Sequence, residues 1–593
     1  MSNFQKKVSV KNFVISIFRV LKMAFKAGPL YISVNNAIAI IHGVLYGLMT
    51  LTMQLFFESV IRCIQNKNGL NEAIFMAFVL FGVFMLAHMV NGLNNFMGTS
   101  YFKKVVGALN QKINIKSSRI APISYENPSL LDDINKATVG ANNSLGLLFT
   151  VTTIFSYYTP YFLFMFIYFY RLNPFLSLSL VVIFIPVALS QFVRNLIFSK
   201  LEDEIAPIRR ETNYYKTTLA EKETRTLGAF SFFENLYISS LALFNKTTWK
   251  VEKKSGLIEL IMKMITLAGY LGVLYIFVST LLQGKISVGA FAAIFFSMNT
   301  MFNTMDTIIC KHIANMTRNM GTINNFLNFL DMPEIVGSQK SQDENLDINL
   351  KNVCFSYPNS EKNVLNYINL NIEFGKTIAI VGENGSGKTT LVKLILGLYT
   401  PTSGSVTIGG LDTRNVSLKS LFKKSSAVFQ NFQKYKMTLS ENIMISEINS
   451  DDSEKMNDSL KKAGLSVDKK IFPQNYDTIL SREFDGVELS GGQWQRVAIA
   501  RGLYRTHDLI ILDEPTAAID PLEEANLYKK FAEISKEKTA VIVTHRIGSA
   551  RIADEIVVMD RGQICEIGTH DDLIDNGGKY SNMFLAQSKW YIK

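Results

Sequence analysis

Residues 382–390 have the composition and spacing of a phosphate-binding loop. They read Gly-Glu-Asn-Gly-Ser-Gly-Lys-Thr-Thr and fit the pattern G-x-x-x-x-G-K-[ST]. An apolar run at 377–381 precedes them and a helical pattern follows, which is the strand–loop–helix order in which such a loop works. Backbone N–H groups would face the phosphates, Lys388 would pair with the β- and γ-phosphates, and the Thr389 hydroxyl would bind Mg²⁺. The predicted nucleotide contacts here are Gly382, Asn384, Gly385, Ser386, Gly387, Lys388, Thr389 and Thr390.

Polar side chains also follow three other apolar runs, which read as strands. Asp513 and Glu514 end the run Leu-Ile-Ile-Leu, where Asp513 would hold Mg²⁺ through water and Glu514 would polarise the attacking water. Gln430 follows Ala-Val-Phe, and its amide would reach both metal and water. His545 follows Val-Ile-Val-Thr and would contact the γ-phosphate, because ligands bind at the carboxyl edge of a parallel sheet. A lone histidine is more often structural, so this assignment depends on its neighbours. The catalytic candidates are Glu514, His545 and Gln430, and the metal candidates are Thr389, Gln430 and Asp513.

A second glycine motif, at residues 490–493, begins another helix about a hundred residues after the first. Its backbone amides could also hold phosphate. One nucleotide has no need of two such cradles from the same face of one subunit, so we expect two subunits arranged head to tail, each giving one cradle to each nucleotide. Asp520 follows Glu514 closely enough to connect the two sites, and Tyr357 offers a ring for stacking a base, with a core position as its alternative. The motif consists of Ser490, Gly491, Gly492 and Gln493.

The first half of the chain has the composition of a membrane domain. The chain has 593 residues, a formal net charge of +11 and 48% hydrophobic residues, which is typical of a protein only partly embedded in a bilayer. Six apolar stretches precede residue 335, each reaching the ~20 residues that cross a ~30 Å hydrocarbon core. Buried helices of a soluble protein are a poor alternative because six such lengths recur in succession. The stretches are 29–58, 72–98, 143–170, 174–197, 257–283 and 286–312.

Loop charge predicts the orientation of these spans. The long loops 99–142 and 198–256 are rich in Lys and Arg, so the positive-inside bias places them, the N-terminus and everything after 312 in the cytoplasm. Both loops keep a helical pattern that is interrupted near 125 and 225, where Pro128 is expected to stop a helix and Gly228 to allow a bend. We interpret the two interruptions as contact points for the second domain, the alternative being ordinary exposed hairpins.

The N-terminal segment 1–28 is basic and amphipathic. Its lysines and arginine alternate with apolar residues, which favours an interfacial helix on anionic lipid over a nucleic-acid-binding arm. The predicted domains are this helix, a six-span transmembrane domain at 29–331, a polar linker at 332–347 and an ATPase domain at 348–593. The predicted fold class is multidomain, with an all-α six-helix transmembrane domain before an α/β P-loop domain.

The motifs taken together resemble the ATPase of an ABC transporter. The relevant strings are G-E-N-G-S-G-K-T, L-S-G-G-Q-W-Q-R, I-L-D-E-P-T, the Gln430 segment and T-H-R. Membrane spans preceding this ATPase on one chain are similar to the exporter half-transporters. The resemblance implies ATP and Mg²⁺ as cofactors, and it implies adenine, coupling, catalytic and switch roles for Tyr357, Gln430, Glu514 and His545. It also implies that the loop tips near 125 and 225 are coupling helices. Ala-Ala-Ile-Asp at 517–520 departs from the more common Ser-Ala-Leu-Asp.

The expected function is ATP-driven export from the cytoplasm or inner leaflet. The string L-S-G-G-Q-W-Q-R and the upstream segment 483–487 resemble lantibiotic and bacteriocin exporters, so a small peptide is the expected cargo. A multidrug or lipid exporter is the alternative within transport. An ATP-gated channel or sensor and a soluble ABC-type ATPase are the alternatives from other classes. The expected partners are the lipid bilayer and a second copy of the chain or a homologous half-transporter, without nucleic acid, in a plasma membrane with both termini cytoplasmic.

Polar residues within the apolar stretches indicate a cavity. Polar groups in a membrane usually face the interior of a helix bundle, although asparagines also join helices together. Tyr157, Tyr158 and Tyr161 lie in a neighbouring stretch and would give such a cavity an aromatic wall. The polar residues are Asn35, Asn36, His42, His88, Asn91, Asn94, Asn95, Lys263 and Asp306.

Overall fold

The computed structural model divides the chain into two compact units. The first contains residues 1–118 and 132–332, and the second contains residues 119–131 and 333–593. The structure describes residues 10–178, 205, 207–308, 312, 314–334, 347–358, 360, 362–448, 452–514, 530–531 and 538–588.

The first unit is helical wherever the structure describes it. Its longest helices exceed the hydrocarbon thickness, since the 48 residues of α3 correspond to about 72 Å at 1.5 Å per residue. The helices are α1 (Val10–Ala27), α2 (Pro29–Asn66), α3 (Leu70–Ser117), α4 (Pro128–Thr153), α5 (Thr159–Leu172), α6 (Lys222–Thr226), α7 (Phe230–Leu282), α8 (Val288–Asp306) and α9 (Ala314–Leu330). A 3₁₀ turn, Pro122–Glu126, precedes α4, and a π-helical turn, Ile154–Tyr158, joins α4 to α5.

Four helices within the described residues are long and apolar enough to cross a membrane. They are Pro29–Asn66, Leu70–Ser117, Ser129–Leu172, which includes the π-helical turn, and Phe230–Leu282. Helix α8 coincides with the predicted stretch 286–312, whereas the predicted span 174–197 lies mostly outside the described residues. A membrane-type helical region is therefore present, and the number six stays a prediction.

Helix α1 carries both apolar and basic residues on its exposed side. Val14, Ile15, Phe18 and Phe25 are exposed there beside Lys22 and Lys26, and the interfacial position of this helix stays a prediction. Its opposite side is attached to the first unit: Arg19 pairs with Asp331 at 2.6 Å, and the Tyr101 hydroxyl donates to the Ala24 carbonyl. The helix therefore keeps a fixed place on the first unit while its aromatic side chains remain exposed.

The sequence predicts that Pro128 ends a helix, but in the structure it begins one. Helix α3 has already ended at Ser117, and Pro128 is the first residue of α4. Proline is well accommodated there because the first helical turn needs no N–H donor and the ring fixes a helical φ. Gly228 does allow the expected bend, with a φ of 65° between α6 and α7.

The second unit contains two sheets and their flanking helices. One sheet has the order β2-β1-β4-β5 and is antiparallel; the other has the order β10-β9-β3-β8-β7-β6 and is parallel except for β10. The strands are β1 (Ile348–Phe355), β2 (Leu365–Ile372), β3 (Thr377–Gly382), β4 (Ser403–Ile408), β5 (Leu411–Asp412), β6 (Ser425–Val428), β7 (Leu509–Asp513), β8 (Thr539–Val543), β9 (Glu555–Asp560) and β10 (Gln563–Gly568). The helices are α10 (Lys388–Ile395), α11 (Leu418–Leu421), α12 (Leu439–Met444), α13 (Ser453–Lys462), α14 (Gly491–Tyr504), α15 (Ile547–Ala550), α16 (His570–Asp575) and α17 (Lys579–Ser588).

Alternating side chains of the parallel strands fill two cores. Ile378 and Ile380 pack with β1, β2 and α10 on one face of the sheet, while Ala379 and Val381 pack with α15 and α17 on the other. Every residue of β3, β7 and β8 is buried, which is the pattern of a parallel sheet covered on both faces. The central strands therefore make the sheet rigid at the edge where the strands end and the loops begin.

The turn between α3 and α4 packs within the second unit. Ile123 lies against its core, and the Glu126 carboxylate accepts hydrogen bonds from the Tyr399 hydroxyl and, at 2.9 Å, from the Lys393 ammonium. These two bonds hold the pKa of Glu126 below its ordinary value, the Tyr399 hydroxyl having the larger effect. The turn near 125 thus packs within the second unit through a charge-assisted contact, and its role in coupling stays a prediction.

We expect Glu126→Gln to lower the melting temperature of the protein near neutral pH, because the amide loses the ionic part of both bonds. A carboxylate with a lowered pKa stabilises the fold above its unfolded pKa of about 4.3, and this contribution disappears as the pH falls through the folded value. The difference in melting temperature from the wild type should therefore shrink below pH 4. The matched control is Asp132→Asn, since Asp132 pairs with Lys136 on an exposed helix surface. A pH-independent difference would contradict this assignment.

Candidate nucleotide site

Four neighbouring parallel strands each place one predicted site element at the same edge. In the order β3-β8-β7-β6 they end at Gly382, Val543, Asp513 and Val428. The phosphate-binding loop follows β3, while His545 and Gln430 each lie two residues beyond their strand. Asp513 pairs with Val543 in register, so these ends are level. The sheet therefore brings together residues that are up to 163 positions apart in the sequence.

The loop at 382–388 needs glycine at specific positions. A Cβ on Gly382 would lie 2.4 Å from the Met559 carbonyl oxygen, and one on Gly387 would lie 2.7 Å from Leu365. Gly387 also has a φ of 101°, in the left-handed region that favours glycine. The loop therefore lies close to β9 and β2, and α10 begins directly after it at Lys388.

Lys388 is buried under this loop. Its ammonium donates to the carbonyl oxygens of Gly382 at 2.9 Å and of Glu383 at 3.0 Å. Burial lowers its pKa, and the carboxylates of Glu514 and Asp513 oppose this shift. A buried ammonium with only carbonyl partners gains from an anionic acceptor, so phosphate oxygens would bind it more strongly than the loop does.

Glu514 is held in a strained backbone conformation at the sheet edge. Its φ is 47°, which is unusual for a residue with a side chain, and its N–H donates to the Val543 carbonyl at 3.0 Å. The Gln430 amide donates to its carboxylate at 2.9 Å, and His545 Nδ1 lies 3.6 Å from the same carboxylate. The three predicted catalytic residues therefore lie together, with the carboxylate between the amide and the imidazole.

Asp513 is the most deeply buried acid of the site, with 1% of its surface exposed. Burial raises its pKa, and the hydrogen bond from Thr389 opposes this shift. The Thr389 hydroxyl lies 3.4 Å from the Asp513 carboxylate, which is long for a hydroxyl hydrogen bond. A cation placed between these two oxygens would stabilise the charged carboxylate.

A cavity of about 820 Å³ contains most of these groups. It brings together the phosphate-binding loop and the three catalytic candidates. Four lining residues escaped the sequence prediction: Val364, Glu383, Met583 and Gln587. Met583 and Gln587 lie on α17, about two hundred residues from the loop, and no motif marks them. The lining residues are Val364, Gly382, Glu383, Asn384, Gly385, Gly387, Lys388, Thr389, Thr390, Gln430, Glu514, His545, Met583 and Gln587.

Comparisons with known proteins agree with this geometry. Residues 365–517 match the ABC transporter family. The subtilin transport ATP-binding protein SpaT of Bacillus subtilis is 30% identical over 545 residues, which cover 88% of this chain and 86% of that protein. The chain belongs to the ABC transporters, as an exporter-type half-transporter.

Other relatives of this ABC exporter are named for the transport of different cargos. The ATP-dependent lipid A-core flippase of Haemophilus influenzae is 27% identical over 522 residues, covering 86% of this chain and 88% of that protein. The nisin transport ATP-binding protein NisT of Lactococcus lactis is 39% identical over 238 residues, covering 40% of each chain. A solved bacterial Atm1-family ABC exporter with ATP bound has the same fold, with a TM-score of 0.81, 19% identity and coverage of 94% of this chain and 99% of its own. This ABC exporter is accordingly a membrane protein that couples ATP hydrolysis to transport.

The second glycine motif of the ABC exporter lies apart from the nucleotide cavity. Ser490 caps α14: its hydroxyl accepts from the Gln493 N–H at 3.3 Å, and the Gln493 side chain accepts from the Ser490 N–H at 2.8 Å. The motif residues 490–493 are not among the described residues that line the cavity. This separation is what the expectation of two cradles from different subunits requires.

Four other predicted residues are not among the described residues that line the cavity. Ser386 lies within the phosphate-binding loop and Asp513 lies at the end of β7, and both side chains are buried. Tyr357 is partly buried against the core, and its hydroxyl lies 3.0 Å from the Thr390 hydroxyl, next to the cavity wall. Asp520 lies outside the described residues. Their roles in base stacking and in communication between sites stay predictions.

Helix α17 holds the loop that contains His545. The Gln587 amide donates to the His545 carbonyl at 2.6 Å and accepts from the Ile547 N–H at 2.9 Å. Lys579, at the start of the same helix, pairs with Asp560 at 2.7 Å. The start of α17 is thus attached to the end of β9 and its last turn to the loop after β8, and Gln587 fixes the backbone on both sides of Arg546.

We expect Gln587→Leu to lower the ATPase rate about tenfold. Without the Gln587 hydrogen bonds His545 would move, and correct positioning of a catalytic group contributes strongly to the rate. The effect should fall on kcat more than on KM, since the phosphate-binding loop is untouched. The measurement is steady-state ATPase activity of the purified protein in lipid. The matched control is Ser588→Ala, since among the described residues the Ser588 hydroxyl donates to the Leu585 carbonyl of the same helix. Equal rates for Gln587→Leu and the control would show that His545 needs no support from α17.

Proposed function

We propose that this ABC exporter moves a peptide of the lantibiotic type from the cytoplasm to the outside. The observation that carries the proposal is the similarity to the subtilin transport protein along 88% of the chain, membrane domain included. The similarity to the nisin transport protein adds support from the ATPase domain. The cargo would cross a plasma membrane through six spans, with both termini in the cytoplasm.

The working form would be a homodimer, or a heterodimer with a homologous half-transporter. Each ATP would lie between the phosphate-binding loop of one subunit and residues 490–493 of the other. Closure of the two ATPase domains around ATP would switch the membrane domains between inward-facing and outward-facing states. The turns near 125 and 225 would transmit this movement, and the Glu126 contact supports that role for the first of them.

Mg²⁺ would be held by the Thr389 hydroxyl and, through water, by Asp513, with Gln430 nearby. The Thr389 and Asp513 oxygens are 3.4 Å apart, so both side chains can face one ion. When bound, the ion would neutralise charge on the β- and γ-phosphates. Glu514 would accept the proton of the attacking water, Gln430 would orient that carboxylate and the water, and His545 would contact the γ-phosphate.

A lipid exporter is the second candidate. It is favoured by the lipid A-core flippase of Haemophilus influenzae, which is similar over 86% of this chain. The two candidates make opposite demands on the cargo site, because a lipid A core carries charged head groups whereas a peptide offers uncharged amides.

Reconstitution into proteoliposomes tests the proposal. We expect a lantibiotic precursor peptide to stimulate ATP hydrolysis and to accumulate in inside-out vesicles when ATP is present. Lipid A and cationic drugs serve as comparison cargos in the same vesicles. Stimulation by lipid alone would support the flippase, and ion flux without accumulation of any cargo would support an ATP-gated channel.

A further inference from the structure

A cavity of about 440 Å³ lies among the membrane-spanning helices of the first unit. Its lining residues recur at helical spacing, so one face of each helix contributes a wall. Seven of the nine polar residues singled out in the apolar stretches line it, and Lys263 and Asp306 are not among the described lining residues. The lining includes Asn35, Asn36, His42 and Tyr46 from α2; His88, Asn91, Asn94, Asn95 and Thr99 from α3; Phe149 and Thr152 from α4; and Tyr157, Tyr158 and His312.

Several polar atoms of this wall have no hydrogen-bond partner among the described residues. His42 is 6% exposed, and its Nε2 atom is buried and unpaired. The side-chain oxygens of Asn35, Asn36 and Asn94 are buried and unpaired in the same way. Each such group costs about 1–3 kcal/mol when it stays unsatisfied, and folded proteins retain few of them. Four such side chains around one cavity make it a candidate site for a polar occupant, which small side-chain rotations would let them contact.

The aromatic part of the wall depends on the π-helical turn Ile154–Tyr158. Both Tyr157 and Tyr158 line the cavity, and the ring of His42 stacks on Tyr157 with centroids 4.5 Å apart. A Cβ on Gly43 would lie 2.4 Å from the Tyr157 carbonyl oxygen, so only glycine admits this approach of α2. π-helical turns are rare and often lie at functional sites. Tyr161 does not line the cavity and is buried in a neighbouring core, contrary to its predicted place in the aromatic wall.

The described lining residues include no Asp, Glu, Lys or Arg. A phosphate head group or a cationic drug would therefore enter a membrane cavity without an opposite charge, which is costly in a low-dielectric medium. Asparagine side chains carry the same amide group as a peptide bond, with donors and an acceptor. Uncharged amides are the ligand chemistry that this wall complements.

We propose that this cavity binds an uncharged stretch of the cargo's peptide backbone, with His42, Asn35, Asn36 and Asn94 exchanging hydrogen bonds with its amide groups. The volume lies within the range of about 300–1,000 Å³ of ligand pockets, which suits a short segment of a longer peptide. The aromatic rings would cover the small side chains of that segment. This assignment rests on the proposed export of peptides and names the part of the cargo that is recognised.

The test is direct binding to the full-length protein in lipid nanodiscs. The probe is a blocked, uncharged peptide of glycine, alanine and leucine, compared with the same peptide carrying N-methylated amides. We expect Asn94→Leu and His42→Phe to weaken binding of the first peptide about tenfold, the effect of one lost hydrogen bond. The N-methylated peptide should bind the wild type about tenfold more weakly as well. The matched control is Asn110→Leu, since Asn110 lies on the same helix with an equally unpaired buried oxygen but outside the cavity lining.

Equal affinity of the wild type for the plain and N-methylated peptides would overturn the assignment, even if a variant failed to fold. Preference for a phosphorylated or lysine-containing peptide over the neutral one would also overturn it. Export assays separate this result from the proposed function. If a lantibiotic precursor is exported equally by the wild type and Asn94→Leu, peptide export stands and the cavity assignment fails. If no precursor is exported but the neutral peptide binds as described, the cavity assignment stands and the cargo proposal fails.

Discussion

Glu514→Gln should reduce ATP turnover at least about a hundredfold while ATP still binds. A general base contributes about 10²- to 10⁴-fold, and glutamine keeps the shape of the side chain but cannot accept a proton at neutral pH. The amide would still lie between Gln430 and His545, so the nucleotide cavity should keep its form. The measurements are the steady-state ATPase rate and the amount of ATP retained after gel filtration.

The control for this variant is Glu373→Gln, an exposed carboxylate in the turn between β2 and β3 of the same domain. It should hydrolyse ATP at the wild-type rate. A Glu514→Gln protein with more than about a tenth of that rate would mean that another group accepts the proton. Loss of ATP binding would instead show that Glu514 mainly supports the strained backbone at its own position.

Two substitutions placed on the same or on different subunits should give opposite results. Lys388→Ala removes the buried cation of the phosphate-binding loop, and Ser490→Arg fills the cradle at the start of α14. If each ATP lies between the loop of one subunit and the motif of the other, the two changes on different subunits damage one site and spare its counterpart. The same two changes on one subunit damage both sites.

Mixed dimers assembled in the Glu514→Gln background measure this directly, because that variant retains ATP. We expect one retained ATP per dimer when the substitutions lie on different subunits and none when they lie on one. The reverse pattern would show that both cradles of a site come from a single subunit. A difference of one full nucleotide per dimer is large enough to decide between the two arrangements.

The motifs predicted most of the nucleotide site because this chemistry restricts which residues can serve. A phosphate cradle needs glycine where a Cβ would strike the neighbouring strand, as at Gly382 and Gly387. Alternating β and α patterns predict a parallel sheet, and a parallel sheet places residues that follow its strands at one edge. Gln430, Glu514 and His545 could therefore be expected together before their distances were known.

Residues that act through packing left no such signal. Gln587 reaches His545 only because α17 folds back over the sheet edge, and its neighbours in the sequence are those of an ordinary amphipathic helix. Pro128 begins a helix although its sequence context predicts the end of one, since proline is compatible with both positions and the path of the preceding chain decides between them.

The ATPase chemistry, the membrane-type character of the first half and the polar residues of its spans could be predicted from the amino-acid sequence, because glycine loops, apolar lengths and charges are local properties of the chain. The structure was needed to show that seven of those polar residues surround one cavity and that Tyr161 is not among the described residues lining it. It also showed that the turn at 119–131 packs within the second unit. These facts depend on how helices rotate and approach one another, which is set by distant contacts such as that of Gly43 with Tyr157.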